Sequence, residues 1–165
     1  YAITAVVGRR SEMEATQKTF ISSTFWTERI GPSAALASLK VMEKEKSWDI
    51  ITSIGNQIRR GWKKVAKENS VNISILGIPA LSTFTFDSKK SLEYKTLLTQ
   101  EMLKKGYLAS TNFYASTAHS EDVLNLYFEA LNEVYKTISE CEIGNILVED
   151  LLESPICHSG FKRLN

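Results

Sequence analysis

The chain has 165 residues, of which 43% are hydrophobic and 24% charged, and its formal net charge is +1. This length and composition suit a globular domain with a real core, and the charge gives no reason to expect a nucleic acid or an anionic membrane as partner. No apolar run approaches the roughly 20 residues that span a bilayer. The two cysteines, Cys141 and Cys157, make no disulfide framework, so a cytoplasmic setting is expected.

The first part of the chain combines an apolar segment with two predicted helices. Residues 2–7 predict a buried strand, although no partner strand lies nearby in sequence and a lone strand cannot satisfy its backbone groups. A short helix is predicted over residues 11–14, where Ser11 is a plausible N-cap. A longer helix is predicted from about Pro32 to Glu45, because proline is favoured at the first helical position.

A hydroxyl-rich turn, residues 22–24, precedes this longer helix. Clustered hydroxyls and free backbone N–H groups suit a phosphate, since each supplies a donor without bulk. The alternative is an ordinary turn that leads into the helix. Trp26 is interpreted as a pocket residue or an interface anchor, and Glu28 with Arg29 as an interface or capping pair.

The next segment predicts a long helix with a basic surface. Ser47 is expected to cap a helix from Trp48 to about Asn69, whose apolar residues recur every three or four positions. These residues are Ile51, Ile54, Ile58, Trp62 and Val65. The basic residues between Arg59 and Lys67 fall mostly on the other faces, where they form either a solvated surface or an anion-binding one.

The remainder alternates strands and helices. Strands are predicted at 73–76 and 81–86, a helix from about 87 to 105, a third strand at 107–112, a helix that starts after Ser120, and a short turn or helix at 148–152. The helix after Ser120 has a buried stripe made of Leu124, Tyr127, Leu131, Val134 and Ile138. The predicted class is therefore α+β: a small, mostly antiparallel sheet covered by helices, with an extended N-terminal arm.

Three of these segments resemble one family. Residues 20–39 look like the region of class III pyridoxal-phosphate (PLP) aminotransferases, including glutamate-1-semialdehyde aminomutases, that leads into the helix joining the large and small domains. Residues 1–8 are similar to the strand after that family's cofactor lysine, and residues 106–122 resemble its final strand, loop and helix start. The resemblance implies a C-terminal portion, with residues 1–46 ending the large PLP-binding domain and residues 47–165 forming the small domain.

The resemblance also implies a site. Thr24 and Ser23 would contact the phosphate of PLP across a homodimer, and Trp26 and Tyr114 would lie on the side of a small amino-acid or keto substrate. The Schiff-base lysine is expected upstream of Tyr1, so this chain is predicted to carry no catalytic residue and to be inactive alone. Lysines such as Lys40, Lys63, Lys104 and Lys136 lie on predicted polar helix faces, without the desolvated setting of a nucleophilic amine. The long loop 25–29 departs from typical aminomutases and leaves the substrate open.

Other chemistries have little support in the sequence. Two histidines and two cysteines lack zinc-ligand spacing, so no metal site is predicted, and there is no P-loop or G-x-S-x-G motif. His119 is interpreted as a hydrogen-bonding residue at the start of a helix, with an approach to an active site as the alternative. A non-enzymatic α+β interaction module, or an anion-binding module on the Arg59–Lys67 face, remains the alternative function.

Overall fold

The computed structural model describes residues 3–20, 24 and 27–160, and it divides into two compact units, Tyr1–Ser47 and Trp48–Asn165. The division falls close to the boundary predicted between residues 46 and 47. The assignment of the two parts to a large and a small domain stays a prediction.

The regular structure in the described residues of the first unit is helical. It contains α1 (Arg10–Met13), a 3-10 helix (Glu14–Lys18) and α2 (Ile30–Glu45). The strand predicted for residues 2–7 is wrong for residues 3–7, which are irregular and exposed. The physical reason is the one that the sequence raises: an apolar strand without a neighbour has no ladder to join and no surface to cover.

Helix α2 begins two residues earlier than predicted. Its first residue is Ile30, so Pro32 is the third residue of the helix instead of the first. Proline is tolerated there because N–H groups of the first turn have no intrahelical partner. The helix ends at Glu45, and Lys46 after it takes the left-handed conformation with φ 50°.

The second unit contains a three-stranded antiparallel sheet with helices packed on it. Its elements are α3 (Ser47–Glu68), β1 (Ile73–Ile78), β2 (Leu81–Phe86), α4 (Ser91–Lys104), β3 (Asn112–Tyr114), α5 (Glu121–Glu142) and α6 (Val148–Leu151). The strand order is β1-β2-β3, and both neighbouring pairs are antiparallel. The predicted α+β class is confirmed.

The register of the hairpin separates a buried sheet face from an exposed one. Ile75 pairs with Phe84 and Ile73 with Phe86, which places the phenylalanines in the core. Because side chains alternate across a strand, the other face carries Leu76 and Ile78, and both of these are exposed.

The core is aromatic and closely packed. The rings of Trp62 and Phe84 lie 4.8 Å apart and meet edge to face, and Phe84 and Phe86 repeat the arrangement at 5.4 Å. Gly55 of α3 lies against the β1–β2 turn, where an added Cβ would overlap the carbonyl oxygen of Pro79. A glycine at this position therefore lets the helix and the turn approach each other.

Two predicted boundaries need correction. The third strand is β3 at residues 112–114, whereas residues 107–112 were expected; the chain first leaves α4 through Gly106, which has φ +87°, and residues 107–111 are irregular. The Thr111 carbonyl then accepts the N–H of Phe84 at 3.0 Å, and pairing begins. Helix α4 starts at Ser91 instead of residues 87–88, because the Ser88 side chain accepts the N–H of Lys90 in a preceding turn.

Candidate functional site

Of the hydroxyl turn, residues 22–24, the structure describes Thr24. This residue lies in a bend and is exposed, whereas Ser23 and Trp26 lie outside the described residues. An exposed threonine can offer its hydroxyl to a group that approaches from outside the unit. The predicted phosphate contacts of Thr24 and Ser23 stay predictions, as does the substrate-side role of Trp26.

Glu28 caps the helix that follows this turn. Its carboxylate accepts the backbone N–H of Gly31 at 2.9 Å and the N–H of Ile30 in a short hydrogen bond. A negative charge at this end is also favourable to the helix dipole. The capping role considered for Glu28 is therefore confirmed. It also means that these two N–H groups are already occupied, so a phosphate held by this segment depends on the hydroxyl turn.

Among the described residues, Thr24 is accessible to a phosphate, and the lysines lack the setting of a cofactor lysine. Throughout residues 27–160, as in residues 3–20, every lysine is exposed or half-buried. A Schiff-base lysine needs a desolvated or positively charged setting that favours its neutral amine. The Thr24 hydroxyl, in contrast, needs only access to a phosphate oxygen.

The second unit has an open cavity of about 260 Å³ beside the start of α5. Its lining residues come from the segment after α4, from β3 and from the first turns of α5. They are Tyr107, Leu108, Ala109, Asn112, Phe113, Tyr114, His119, Val123, Leu124 and Tyr127. Of the predicted site residues, the structure places Tyr114 in this lining, with 70% of its surface exposed. Its predicted role toward a substrate stays a prediction.

His119 organises the loop between β3 and α5. Its Nδ1 accepts the backbone N–H of Ser116 at 3.0 Å, and its ring lies 4.8 Å from that of Phe113. Ser120 then caps α5 by accepting the N–H of Val123. The interpretation of His119 as a hydrogen-bonding residue at the start of the helix is confirmed. Its place in the cavity wall was not predicted from the sequence.

Tyr127 forms the inner wall of the cavity and a polar contact in the core. Its hydroxyl accepts the indole N–H of Trp62 at 2.9 Å, and both side chains are buried. Burial raises the pKa of Tyr127 to about 12, although the hydrogen bond from Trp62 acts in the opposite direction. One local signal could have pointed to this contact: a tyrosine within an apolar helical stripe needs a hydrogen-bond partner for its hydroxyl.

The basic surface of α3 offers less to an anion than its sequence indicates. The Arg59 guanidinium donates to the Gly77 carbonyl at 3.0 Å, and Lys64 lies 3.9 Å from Glu68 on the next turn. The exposed positions of Arg60, Lys63 and Lys67 are those of a solvated helix face. The structure therefore does not favour the anion-binding alternative.

The described residues also bear on metal binding and on membrane insertion. Across the part of the chain that the structure describes, no group of three or more His, Cys, Asp or Glu side chains could hold a metal ion. The helices within these same ranges include none that is long and apolar enough to cross a membrane.

The fold resembles part of a PLP enzyme of known structure. The chain superimposes on the PLP internal aldimine form of the FumI protein of Sphingopyxis sp. MTA144 with a TM-score of 0.72, and the match covers 88% of this chain and 36% of that one. The two sequences are 16% identical over this match, so the comparison establishes the shared fold. No protein-family model matches the sequence.

Sequence relatives point to the same class. The chain is 27% identical over 139 residues to 3-aminobutyryl-CoA aminotransferase of Cloacimonas acidaminovorans, a match that covers 81% of this chain and 34% of that protein. It is 26% identical over 155 residues to glutamate-1-semialdehyde 2,1-aminomutase of Ignicoccus hospitalis, covering 84% and 37%. The resemblance to class III PLP aminotransferases and aminomutases is confirmed. The chain spans about a third of the length of these curated relatives.

Proposed function

We propose that this chain is the C-terminal portion of a cytoplasmic, homodimeric PLP-dependent aminotransferase or aminomutase, and that Thr24, with Ser23, binds the cofactor phosphate of the neighbouring subunit. The observation that carries the proposal is the agreement of fold and sequence: one PLP-enzyme structure and several aminotransferase sequences match this chain over most of its length. The names of these relatives, aminotransferase and aminomutase, describe the exchange or the shift of an amino group. The compounds in these names are otherwise unlike.

PLP, when bound, supplies the electron sink for moving an amino group. The residues of this chain contribute binding and positioning. The Thr24 hydroxyl donates to a phosphate oxygen, and the charge on that oxygen makes the bond stronger than one between neutral groups. Glu28 holds the start of α2 and thereby fixes the position at which the hydroxyl turn joins the helix.

The second unit would cover the substrate. Tyr114, the last residue of β3, lies on an exposed rim of this unit, where its side chain can contact a small amino-acid or keto compound. Closure of such a unit excludes water and completes the site. The lysine that would hold the cofactor covalently would come from sequence preceding Tyr1, and the chain alone is expected to be inactive.

The cofactor contact is tested by Thr24→Val in the native protein. Valine keeps the shape of threonine and removes the hydroxyl, so the dissociation constant for PLP is expected to rise by about ten-fold or more, the loss of one charge-assisted hydrogen bond. Thr24→Ser retains the hydroxyl and should bind PLP nearly as the wild type does. Thr27→Val, in the same segment, is the matched control and should leave PLP binding unchanged. Equal PLP affinity of the Thr24→Val and Thr27→Val proteins would contradict the proposal.

Contact across the dimer has its own test. A Thr24→Val subunit is mixed with a subunit that lacks the cofactor lysine. If Thr24 acts in the neighbour's site, the hybrid contains one site with both the lysine and the threonine, and its PLP affinity returns to the wild-type value. If Thr24 acts within its own subunit, no such site forms and the affinity stays low.

A further inference from the structure

The cavity beside α5 has the size and walls of a site for a small flat molecule. Its volume of about 260 Å³ exceeds the roughly 150 Å³ that accommodates benzene, so a ring with a short substituent can enter. The rings of Phe113 and Tyr127 lie 6.3 Å apart, and those of Tyr107 and Tyr127 lie 6.2 Å apart. Aromatic walls of this kind favour edge-to-face and offset contacts with a flat group.

The polar groups in the wall include two hydrogen-bond donors without acceptors in the described part of the chain. Because Nδ1 of His119 accepts the N–H of Ser116, the proton of the neutral ring lies on Nε2. Asn112 accepts the Thr83 hydroxyl at 2.6 Å through its Oδ1, which leaves its amide N–H groups as donors. Both groups are therefore available to a ligand that supplies an acceptor.

The uncharged lining of the cavity favours a neutral hydrogen-bond acceptor over a charged one. Among the described residues that line it there is no lysine, arginine, aspartate or glutamate. A carboxylate that entered would lose hydration without gaining a fixed opposite charge. A neutral carbonyl oxygen loses much less on leaving water and still accepts an N–H bond.

From these observations we infer that the cavity binds a small neutral carbonyl compound, such as a ketone, an amide or a thioester. The apolar part of the ligand packs against Phe113 and Tyr127, and its oxygen accepts the Nε2–H of His119. This inference concerns the second unit alone and does not depend on the proposed cofactor contact of Thr24.

Three probes of nearly equal shape test the inference on the 165-residue chain by amide ¹H–¹⁵N NMR titration. Acetophenone has a ring and a neutral carbonyl, α-methylstyrene replaces the oxygen by CH₂, and benzoate carries a charge. Acetophenone is expected to shift amides of residues 107–127 in a saturable way. α-Methylstyrene should bind about five-fold more weakly, the equivalent of one net hydrogen bond, and benzoate should bind more weakly than acetophenone because its carboxylate loses hydration in the cavity. Equal affinity of acetophenone and α-methylstyrene, or shifts that cluster elsewhere, would overturn the inference.

Variants locate the contact. His119→Asn keeps an acceptor for the Ser116 N–H but removes the Nε2 donor, so acetophenone should bind about as weakly as α-methylstyrene while α-methylstyrene is unaffected. Val123→Trp should block the cavity, and Leu126→Trp, on an exposed part of the same helix, is the matched control. Circular dichroism establishes that each variant is folded. Unchanged acetophenone binding in a folded His119→Asn or Val123→Trp protein would reject the site.

Discussion

The buried hydrogen bond between Trp62 and Tyr127 allows a quantitative test of the core next to the cavity. Tyr127→Phe removes the hydroxyl that accepts the Trp62 indole N–H at 2.9 Å, and it leaves that donor buried without its partner. The expected loss in the free energy of unfolding at pH 7 is about 1–3 kcal/mol, the cost of an unsatisfied buried polar group. Tyr114→Phe, on the exposed rim, should change it by less than about 0.5 kcal/mol.

The effect of Tyr127→Phe on the free energy of unfolding should decrease as the pH rises. Tyr127 has a pKa of about 12 in the folded protein against 10.0 for a free tyrosine, because burial disfavours the phenolate. Between these values the folded state holds a proton that the unfolded state has lost, so the stability that the protonated form contributes falls as pH rises. The full loss is about 2–3 kcal/mol between pH 10 and 12. The Tyr127→Phe protein lacks this contribution, so its deficit should shrink over that range.

Urea unfolding of both proteins at pH 7, 10, 11 and 12 measures the two effects together. The wild type should be more stable at pH 7, and the two free energies of unfolding should converge by pH 12. Trp62→Phe and the double variant complete a thermodynamic cycle that isolates the coupling between the two side chains. A Tyr127→Phe deficit near zero at pH 7, or a deficit independent of pH, would refute the reasoning.

Two further predictions concern packing. Gly55→Ala should destabilise the protein by about 2 kcal/mol or more, because the new Cβ overlaps the Pro79 backbone. This loss is expected despite the higher helix propensity of alanine. A gain in stability on urea unfolding would show that α3 and the turn are not in contact. Tyr135→Phe should raise the melting temperature by about 3 °C, because the Tyr135 hydroxyl is buried without a hydrogen-bond partner among the described residues. A lower melting temperature would indicate that the hydroxyl is satisfied.

The regular elements with strong periodicity could be predicted from the sequence. The apolar residues predicted on one face of α3 recur at helical spacing, and Ile54, Ile58, Trp62 and Val65 are buried in the core, whereas Ile51 is half-buried. The alternation of residues 81–86 predicts β2 with its correct bounds. Ser120 and the acidic residues after it mark the start of α5. In each case the decisive signal is local, because it consists of a period or a cap within a few residues.

What the sequence did not predict depends on contacts between distant residues. Gly55 resembles any helical glycine until the Pro79 turn is placed against it. The bounds of β3 depend on where residues 112–114 meet β2, which no local pattern specifies. The segment 3–7 has an apolar strand pattern, yet pairing requires a neighbour that the described residues do not supply.

The candidate site also combines features that the sequence predicts with features that depend on the fold. The hydroxyl turn was identified from its residue types and from family resemblance, whereas the capping of α2 by Glu28 was one of two interpretations that only geometry could separate. The cavity beside α5 was missed because its lining is drawn from a loop, a short strand and a helix. His119 and Tyr127 are both more than ten residues beyond Tyr107, and only the fold brings all three to one wall.

The central proposal is that the attacking amine and the hydroxyl turn belong to one PLP enzyme but to different parts of its sequence. The most direct test reduces the native, PLP-loaded protein with borohydride and maps the modified lysine by mass spectrometry. The proposal predicts a single labelled lysine in sequence that precedes Tyr1. Labelling of a lysine between residues 1 and 165, or failure of the native protein to take up PLP at all, would contradict it.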